Sequence, residues 1–207
     1  MMNRFPQVAL ALTAGLLLGA IAFIPEDNAM ATPLPQGFPA PTAPDRIEVK
    51  TYPTYRGATV RQNGDLAAAT QLAFGPLFQH ISSNDIGMTA PVEARYPATL
   101  LTETENSRQG EAEVSFLYEN PTVNPSRVAP NVTVADTPSM TVVSLGQQGS
   151  YDYSTFEAGI ARLRQWLAEH PEYNIVGAPR RLLYDGPFTP AAFKRSEIQV
   201  PIAPVNP

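Results

Sequence analysis

The chain has 207 residues, of which 43% are hydrophobic and 16% are charged, and its formal net charge is −5 at pH 7. This length suffices for one sizeable domain with an apolar core and is short for two domains. The acidic balance disfavours a nucleic-acid partner, because phosphates require cationic side chains. The sequence has no cysteine, which excludes disulfides, thiolate nucleophiles and thiolate metal ligands.

The first 31 residues have the pattern of an export signal. Arg4 provides a positive start, an apolar stretch covers residues 8–24, and Ala29-Met30-Ala31 matches an A-x-A cleavage site. We expect cleavage after Ala31, and therefore an exported protein in the periplasm or outside the cell. The alternative is an uncleaved membrane anchor, because an apolar run of this length is at the lower limit for spanning a bilayer.

Residues 32–44 contain five prolines and show no hydrophobic period. Proline restricts the backbone and removes hydrogen-bond donors, so this segment is predicted to be a stiff, extended, solvated linker. The folded domain is then expected over residues 45–203, with a short C-terminal tail at 204–207.

The first half of this domain is predicted to form a strand, a helix and two strands. Alternating apolar residues begin at Ile47 and continue, after Pro53, to Val60. A helix is expected to begin near Asn63-Gly64-Asp65, with an apolar face spaced every three or four residues. That face consists of Leu66, Thr70, Ala73, Leu77 and Ile81. Strand patterns return at residues 88–96 and 112–118.

The second half repeats this order of elements without a repeat of residues. A strand is predicted at residues 140–145, and Ser154-x-x-Glu157 is a capping box that would open a second helix. The apolar stripe of that helix is Phe156, Ile160, Leu163 and Leu167. Further strands are predicted near residues 174–184 and 195–202. The pattern favours an α+β fold in which an antiparallel or barrel-like sheet carries two helices.

Four motifs in this chain resemble those of the SOUL haem-binding protein family. They are IEVKTYPTYRGATV, ISSNDIGMTAPV, LLYDGPFTP and KRSEIQVPI, which occur in the family's order and spacing over residues 47–202. The resemblance implies a distorted eight-stranded antiparallel β-barrel with two flanking helices, built from two pseudo-symmetric β-α-β-β halves. It also implies a shallow hydrophobic groove, bordered by the first helix, that holds haem or another tetrapyrrole.

The first helix is where the resemblance places the ligand. By register with the family motif, the ligand-facing positions are Gln71, Phe78 and Gln79. Characterised members present basic side chains there for the porphyrin propionates, whereas glutamine keeps a donor but no charge. Phe78 and its neighbour Phe74 are expected to remain partly accessible, because the apolar surface of this helix is broader than one stripe.

The groove itself is expected beside the second half of this helix. Gly75-Pro76 lies within the helix, removes a backbone hydrogen bond and predicts a kink. The groove would then lie between the kinked half and the strands that follow Met88 and precede Ile202. Met88, in the pentapeptide MTAPV, either anchors a strand in the core or contacts the ligand.

The chain has two histidines with different predicted roles. His80 shares a helical face with the small residues Ala69, Ala73 and Pro76, which leaves room for a porphyrin edge. It is therefore a candidate axial ligand of haem iron; the alternative is a core imidazole bonded to a backbone carbonyl. His170 comes just before Pro171 and is expected to cap the second helix.

Glu197 supports a second hypothesis. Alternation over residues 195–202 places it with Arg195 and Gln199 on a wet or cleft-facing side of the last strand. The chain also resembles gyrase-inhibitor-like ligand-binding domains, in which a glutamate on the last strand faces organic cations. The protein would then bind or hydrolyse a small cationic or apolar compound, with Trp166 or Tyr184 among the aromatic walls.

A third hypothesis is a protein-interaction module without a ligand, which the uncharged Gln71 and Gln79 would suit. Catalysis has little support, because the sequence has no H-E-x-x-H, G-x-S-x-G or glycine-rich phosphate-loop motif. We therefore predict a monomeric, non-enzymatic protein that reversibly binds a small hydrophobic or planar ligand. We expect no nucleic-acid partner, and no stable membrane insertion once the signal is cleaved.

Overall fold

The computed structural model of the protein describes residues 32–102 and 108–205. The predicted signal peptide and the last two residues of the predicted tail lie outside these ranges. Among the residues described, neither helix has both the length and the apolarity needed to cross a membrane.

The described residues form nine strands, two α-helices and two short 3-10 helices. The strands are β1 (Ile47–Tyr52), β2 (Tyr55–Asp65), β3 (Val92–Arg95), β4 (Gln109–Leu117), β5 (Thr133–Thr137), β6 (Met140–Gln148), β7 (Tyr173–Ile175), β8 (Arg180–Leu183) and β9 (Arg195–Pro204). The α-helices are α1 (Ala69–Ser83) and α2 (Tyr153–Glu169), and the 3-10 helices are Ala98–Leu101 and Ala191–Phe193. Each half therefore has strands, one long helix and further strands, in the predicted order.

The strands pair antiparallel in the order β1-β6-β9-β8-β3-β4-β2-β5, and β7 pairs with β9 beside this path. The predicted α+β class with two helices on an antiparallel sheet is confirmed. The sheet is open, however, because β1 and β5 end the order without pairing within the described chain, so the term barrel fits only loosely. The strand count exceeds the predicted eight, and the strand predicted at residues 174–184 is interrupted at Gly177-Ala178-Pro179 and forms β7 and β8.

Two predicted helix starts were wrong. Asn63-Gly64-Asp65 belongs to β2, because its pairing with β4 continues to Asp65, and α1 begins at Ala69. The predicted capping box does not form at α2, where Asp152 is the N-cap residue and makes no side-chain capping bond. The Thr155 hydroxyl instead donates to the Asp152 carbonyl at 2.6 Å. His170 is the C-cap residue of α2, as predicted.

The main apolar core lies between the two helices and one face of the sheet. Helix α1 contacts β2 and β4, and α2 contacts β6 and β9. The predicted stripes are confirmed in their central positions, since Ala73, Leu77, Ile160 and Leu163 are buried in this core. Both helices therefore bury one apolar face on the same side of the sheet.

The opposite face of the sheet is covered by the proline-rich segment at residues 32–44. The ring of Phe38 packs edge-on against Tyr52 and Tyr55, with centroid separations of 5.0 and 5.2 Å. Thr42 is buried, and its hydroxyl lies 3.2 Å from that of Ser144. The prediction of a solvated linker is therefore wrong for this segment, because its extended backbone follows the sheet and packs on it.

Gly146 on β6 permits this close approach. A Cβ at this position would overlap the carbonyl oxygens of Thr42 and Ala43. We expect Gly146→Ala to lower the free energy of unfolding by about 1–3 kcal/mol, because the covering segment must shift. Urea denaturation measures this change.

Gly75→Ala is the matched control for this substitution. A Cβ at Gly75 would meet nothing within 4 Å, so alanine there should stabilise α1 by about 0.5–1 kcal/mol. If both variants changed stability equally, the close packing of residues 42 and 43 on β6 would be contradicted.

Candidate functional site

A groove of about 810 Å³ lies beside α1. Its volume is within the range of about 300–1,000 Å³ that is typical of sites for small molecules and cofactors. One part of its wall is apolar and is formed by Phe74, Phe78, Met88, Ala90, Val92 and Leu183. This position agrees with the predicted groove between the first helix and the strand region after Met88, but no residue of β9, which contains Ile202, lines the wall.

Phe74 and Phe78 provide the helix side of this apolar wall. They are one helical turn apart, and their rings are nearly parallel with centroids 6.0 Å apart. Phe74 also packs edge-on against Phe116 of the core. The two side chains are 39% and 52% exposed, which confirms that they remain partly accessible. Helix α1 runs through Pro76 as one element, and the kink stays a prediction.

The structure brings four of the seven predicted site residues to this groove, namely Gln71, Phe74, Phe78 and Met88. Gln79 is exposed on α1 outside the groove wall. His80 and Glu197 are buried in other places, and neither is part of the wall. The wall thus contains the predicted apolar residues but lacks the predicted imidazole and carboxylate.

His80 points into the core of the protein. It is 3% exposed, and its Nε2 lies 2.7 Å from the Tyr118 hydroxyl. Burial lowers the pKa of His80, which favours the neutral imidazole. This is the arrangement of a core histidine, with a hydroxyl in place of the expected backbone carbonyl. Among the residues that the structure describes, no group of three or more potential metal-binding side chains is present.

Glu197 is sealed on the sheet face that residues 32–44 cover. It is 0% exposed, and its Oε1 lies 2.7 Å from Lys50 Nζ and accepts the Thr42 amide. The Tyr184 hydroxyl donates to its Oε2 at 2.7 Å. The predicted wet or cleft-facing side of β9 is therefore wrong, because the proline-rich segment excludes water from it.

The protonation of Glu197 follows from these contacts. Burial alone would raise its pKa, but the hydrogen bonds from Lys50 and Thr42 and the charge of Lys50 outweigh burial. The pKa of Glu197 is therefore lowered, and the group remains a paired carboxylate. A site that binds or hydrolyses a compound through this residue would need an accessible, unpaired carboxyl group, and Glu197 is neither accessible nor unpaired.

The same sheet face carries a second buried ion pair. Gln199 donates to Glu197 at 2.9 Å and accepts from Arg180 Nε at 2.8 Å. Arg180 Nη1 lies 3.2 Å from Glu93, whose other oxygen accepts from Arg95 at 2.7 Å. Burial raises the pKa of Glu93, but the charges of Arg180 and Arg95 outweigh it and lower the pKa. These charged groups stabilise the fold and are separate from the groove.

The sequence analysis missed the second part of the groove wall except for Tyr184, which it named as an aromatic wall residue of the Glu197 site. It is formed by Tyr151, Tyr153, Arg181, Tyr184, Asp185 and Lys194. One available signal was the Arg180-Arg181 pair within an apolar strand, since two adjacent strand residues face opposite sides of a sheet. The first side chain enters the buried network, and the second lies in the groove wall.

Comparisons with known proteins identify a matching family and similar folds. A family model described as SOUL heme-binding protein matches residues 39–201. The C-terminal domain of EcmrR shares the fold at 19% identity and a TM-score of 0.62, with 77% of this chain and 98% of that chain covered. No match to a curated protein was found at the sequence level.

Two structures from Listeria innocua share the fold at lower identity. An uncharacterized conserved protein has 13% identity and a TM-score of 0.58, with 79% of this chain and 94% of that chain covered. A protein described as a hydrolase has 13% identity and a TM-score of 0.54 over the same shares of the two chains. At these identities the likeness shows the fold alone.

Glu197→Gln tests the structural role of the buried carboxylate. At pH 7 we expect a loss of about 3 kcal/mol in the free energy of unfolding, because Lys50 would remain largely buried without its counter-charge. The pKa of Glu197 is lower in the folded protein than its ordinary value of 4.5, so its carboxylate contributes its full stabilisation above pH 4.5. This stabilisation is lost as the pH falls through the pKa of the folded protein. The difference between the two proteins should therefore narrow below about pH 4.5.

Urea denaturation at a series of pH values measures both effects. Glu48→Gln is the control, since this carboxylate lies 3.9 Å from the same Lys50 Nζ but is largely exposed. It should change stability little at any pH. A Glu197→Gln variant as stable as the wild type at pH 7 would contradict the assignment of a buried ion pair.

Proposed function

The chain belongs to the SOUL heme-binding protein family, and we propose that it binds haem or a related tetrapyrrole reversibly in the groove beside α1, without catalysing a reaction. The observation that carries this proposal is the pair of parallel, partly exposed rings of Phe74 and Phe78 on the wall of a groove of about 810 Å³. A flat macrocycle buries apolar area against such a wall, and aromatic faces favour offset stacking.

The residues of the groove fit a tetrapyrrole in three respects. The apolar wall matches the faces of the macrocycle, and Met88 places a thioether, a known type of haem ligand, on that wall. Gln71 and two cationic side chains provide hydrogen-bond donors for carboxylates. Bound haem would supply an iron that accepts axial ligands. His80 is not included as a ligand in this proposal, because its imidazole is held in the core by Tyr118.

Binding without catalysis is supported by the state of the acidic groups. Glu197 and Glu93 are both buried and ion-paired, and Asp185 on the groove wall is bound to Arg195 at 3.1 Å. A carboxylate that acts as a general acid or base must exchange a proton with the substrate, whereas these three carboxylates are held by cationic side chains. We further propose that the protein is exported to the periplasm or the cell exterior, on the basis of its N-terminal export pattern, and that it acts there as a monomer.

Haemin titration of the purified protein tests ligand binding directly. We expect a saturable change in the Soret band at micromolar protein. Phe78→Asp should abolish this change and leave the far-UV circular dichroism unaltered, because a charge at a residue that is 52% exposed is tolerated by the fold but not by an apolar ligand.

Leu72→Asp is the matched control. Leu72 is also on α1 and is 57% exposed, but it lies outside the groove wall. This variant should bind haemin as the wild type does. The proposal would be wrong if the wild type gave no saturable change, and co-purification of a single protein would then favour an interaction module.

His80 gives an independent spectroscopic prediction. In His80→Gln the amide can replace the hydrogen bond to Tyr118 and keep the core intact. We expect the haemin-bound absorption spectrum and affinity to remain those of the wild type, because His80 does not line the groove. A loss of the Soret shift in a folded variant would instead identify His80 as an iron ligand.

A further inference from the structure

We propose that the rim of the groove docks on the surface of a phospholipid bilayer, so that an apolar ligand passes directly between the bilayer and the groove. The rim consists of the exposed face of α1 and residues 186–193, which belong to the connection between β8 and β9. Phe188 and Phe193 are the side chains that enter the bilayer. Docking itself does not depend on the ligand, whereas ligand transfer rests on the proposed function.

The exposed phenylalanines of the protein are concentrated on this rim. Phe188 and Phe193 are 99% and 65% exposed, and Phe74 and Phe78 of α1 are partly exposed. Within residues 32–102 and 108–205, every exposed phenylalanine is one of these four, and both elements that carry them border the same groove. Single exposed apolar residues are common on proteins, but a cluster at one place marks an interaction site.

Hydrogen bonds hold the connection between β8 and β9 beside the groove. Gly186 lines the groove wall, and its carbonyl oxygen accepts the Thr189 amide at 3.2 Å. The 3-10 helix Ala191–Phe193 follows, and the Gln148 side chain donates to the Ala192 carbonyl at 3.0 Å. The exposure of the two phenylalanines therefore belongs to a backbone that is fixed at both of its turns.

The rim carries no charged residue. Neither α1 nor residues 186–193 contain Asp, Glu, Lys or Arg, although 16% of the whole chain is charged. Charged side chains are costly inside a bilayer, and carboxylates are repelled by anionic headgroups. A protein with a net charge of −5 therefore presents to the bilayer the part of its surface that meets both requirements.

A cationic and an aromatic side chain lie at the edge of the rim. Lys194 directly follows Phe193, and its Nζ lies 5.0 Å from the centre of the Tyr151 ring. Asp185, the acidic residue of the groove wall, is paired with Arg195 at 3.1 Å. Apolar tips with a lysine and a tyrosine beside them are typical of surfaces that lie in the membrane interface, where the polar ends reach the headgroups.

A bilayer suits this rim better than a protein partner or a second copy of the chain. Protein interfaces place their aromatic residues at the centre of a closely packed patch that is surrounded by polar groups. Phe188 instead protrudes into solvent, and the rim elements border an apolar groove. A fluid bilayer can surround a protruding ring, and it is also the phase in which a planar apolar ligand accumulates.

An indole introduced on the rim tests this contact locally. In the double variant Phe188→Trp, Trp166→Phe the introduced indole is the only one in the chain, since Trp166 is the sole tryptophan. Vesicles of phosphatidylcholine with added phosphatidylglycerol should shift its fluorescence emission to shorter wavelength, and brominated lipid should quench it. Because an indole reports its own surroundings, vesicle binding by another part of the chain does not affect this result.

Val176→Trp in the same Trp166→Phe background is the matched control. Val176 is 60% exposed and precedes β8, whereas the rim follows β8, so the two positions lie at opposite ends of that strand. The emission of this variant should not change with the same vesicles. An unchanged emission of the Phe188→Trp variant, or equal shifts in both proteins, would overturn docking through the rim.

Haemin separates this inference from the proposed function. Phe188→Ser with Phe193→Ser should weaken vesicle binding about tenfold for each phenylalanine and slow haemin transfer from vesicles to the protein. The affinity for haemin in solution should stay unchanged, because neither residue lines the groove wall.

Three outcomes separate docking, ligand transfer and self-association. Haemin binding without an indole shift on vesicles would overturn docking and leave the proposed function standing. An indole shift without haemin binding would support docking and overturn ligand transfer together with the proposed function. Dimerisation in solution that the double serine variant abolishes, without an indole shift on vesicles, would identify a second copy as the partner and overturn the inference.

Discussion

The fold depends on charged side chains that are buried on one face of the sheet. The Lys50–Glu197 and Arg180–Glu93 pairs lie on that face, and Gln199 joins them through hydrogen bonds to Glu197 and Arg180. Removing such pairs from water is costly, so they are tolerated only when every partner and hydrogen bond is present. Residues 32–44 cover this face and supply one of these hydrogen bonds, from the Thr42 amide to Glu197, so a segment at the edge of the domain helps to stabilise its most polar interior.

This arrangement separates the structural charges from the ligand site. Strand pleating places the charged network on one face of β8 and β9 and leaves the other face to the core and groove. Consecutive residues of one strand therefore have different tasks, as Arg180 and Arg181 illustrate. Because the acidic residues of the network are already paired, the groove end near β8 keeps a positive character in a protein whose net charge is negative.

The sequence was informative where local periodicity determines structure. The spacing of Ala73, Leu77, Ile160 and Leu163 predicted the buried stripes of both helices, and the broad apolar surface of α1 predicted the accessible Phe74 and Phe78. It was misleading where packing between distant parts of the chain determines whether a residue is buried. The period of two in a strand shows that Glu197 and Ile198 point to opposite faces of the sheet. It cannot show what covers the face to which Glu197 points.

The proline-rich segment is the clearest example of this limit. Its composition is that of an extended chain, and an extended chain can remain in solvent or lie along a sheet. The choice depends on partners far away in sequence, such as Gly146 on β6, which has no Cβ to obstruct the approach. The assignment of Glu197 to a cleft was wrong for the same reason, since the residues that seal it are 155 positions earlier in the chain.

The proposal of reversible binding rests on the accessibility of the groove. Phe74 and Phe78 have part of their area in contact with the protein, and their parallel rings are partly exposed. A flat ligand therefore gains apolar contact on one side while no core has to open, which keeps the exchange fast and the gain in free energy moderate. Orientation cannot come from such a contact, because stacking on two phenyl rings is nearly indifferent to rotation in the plane. In the proposed function, a hydrogen-bond donor at the edge of the groove, such as Gln71 or Lys194, would remove that freedom.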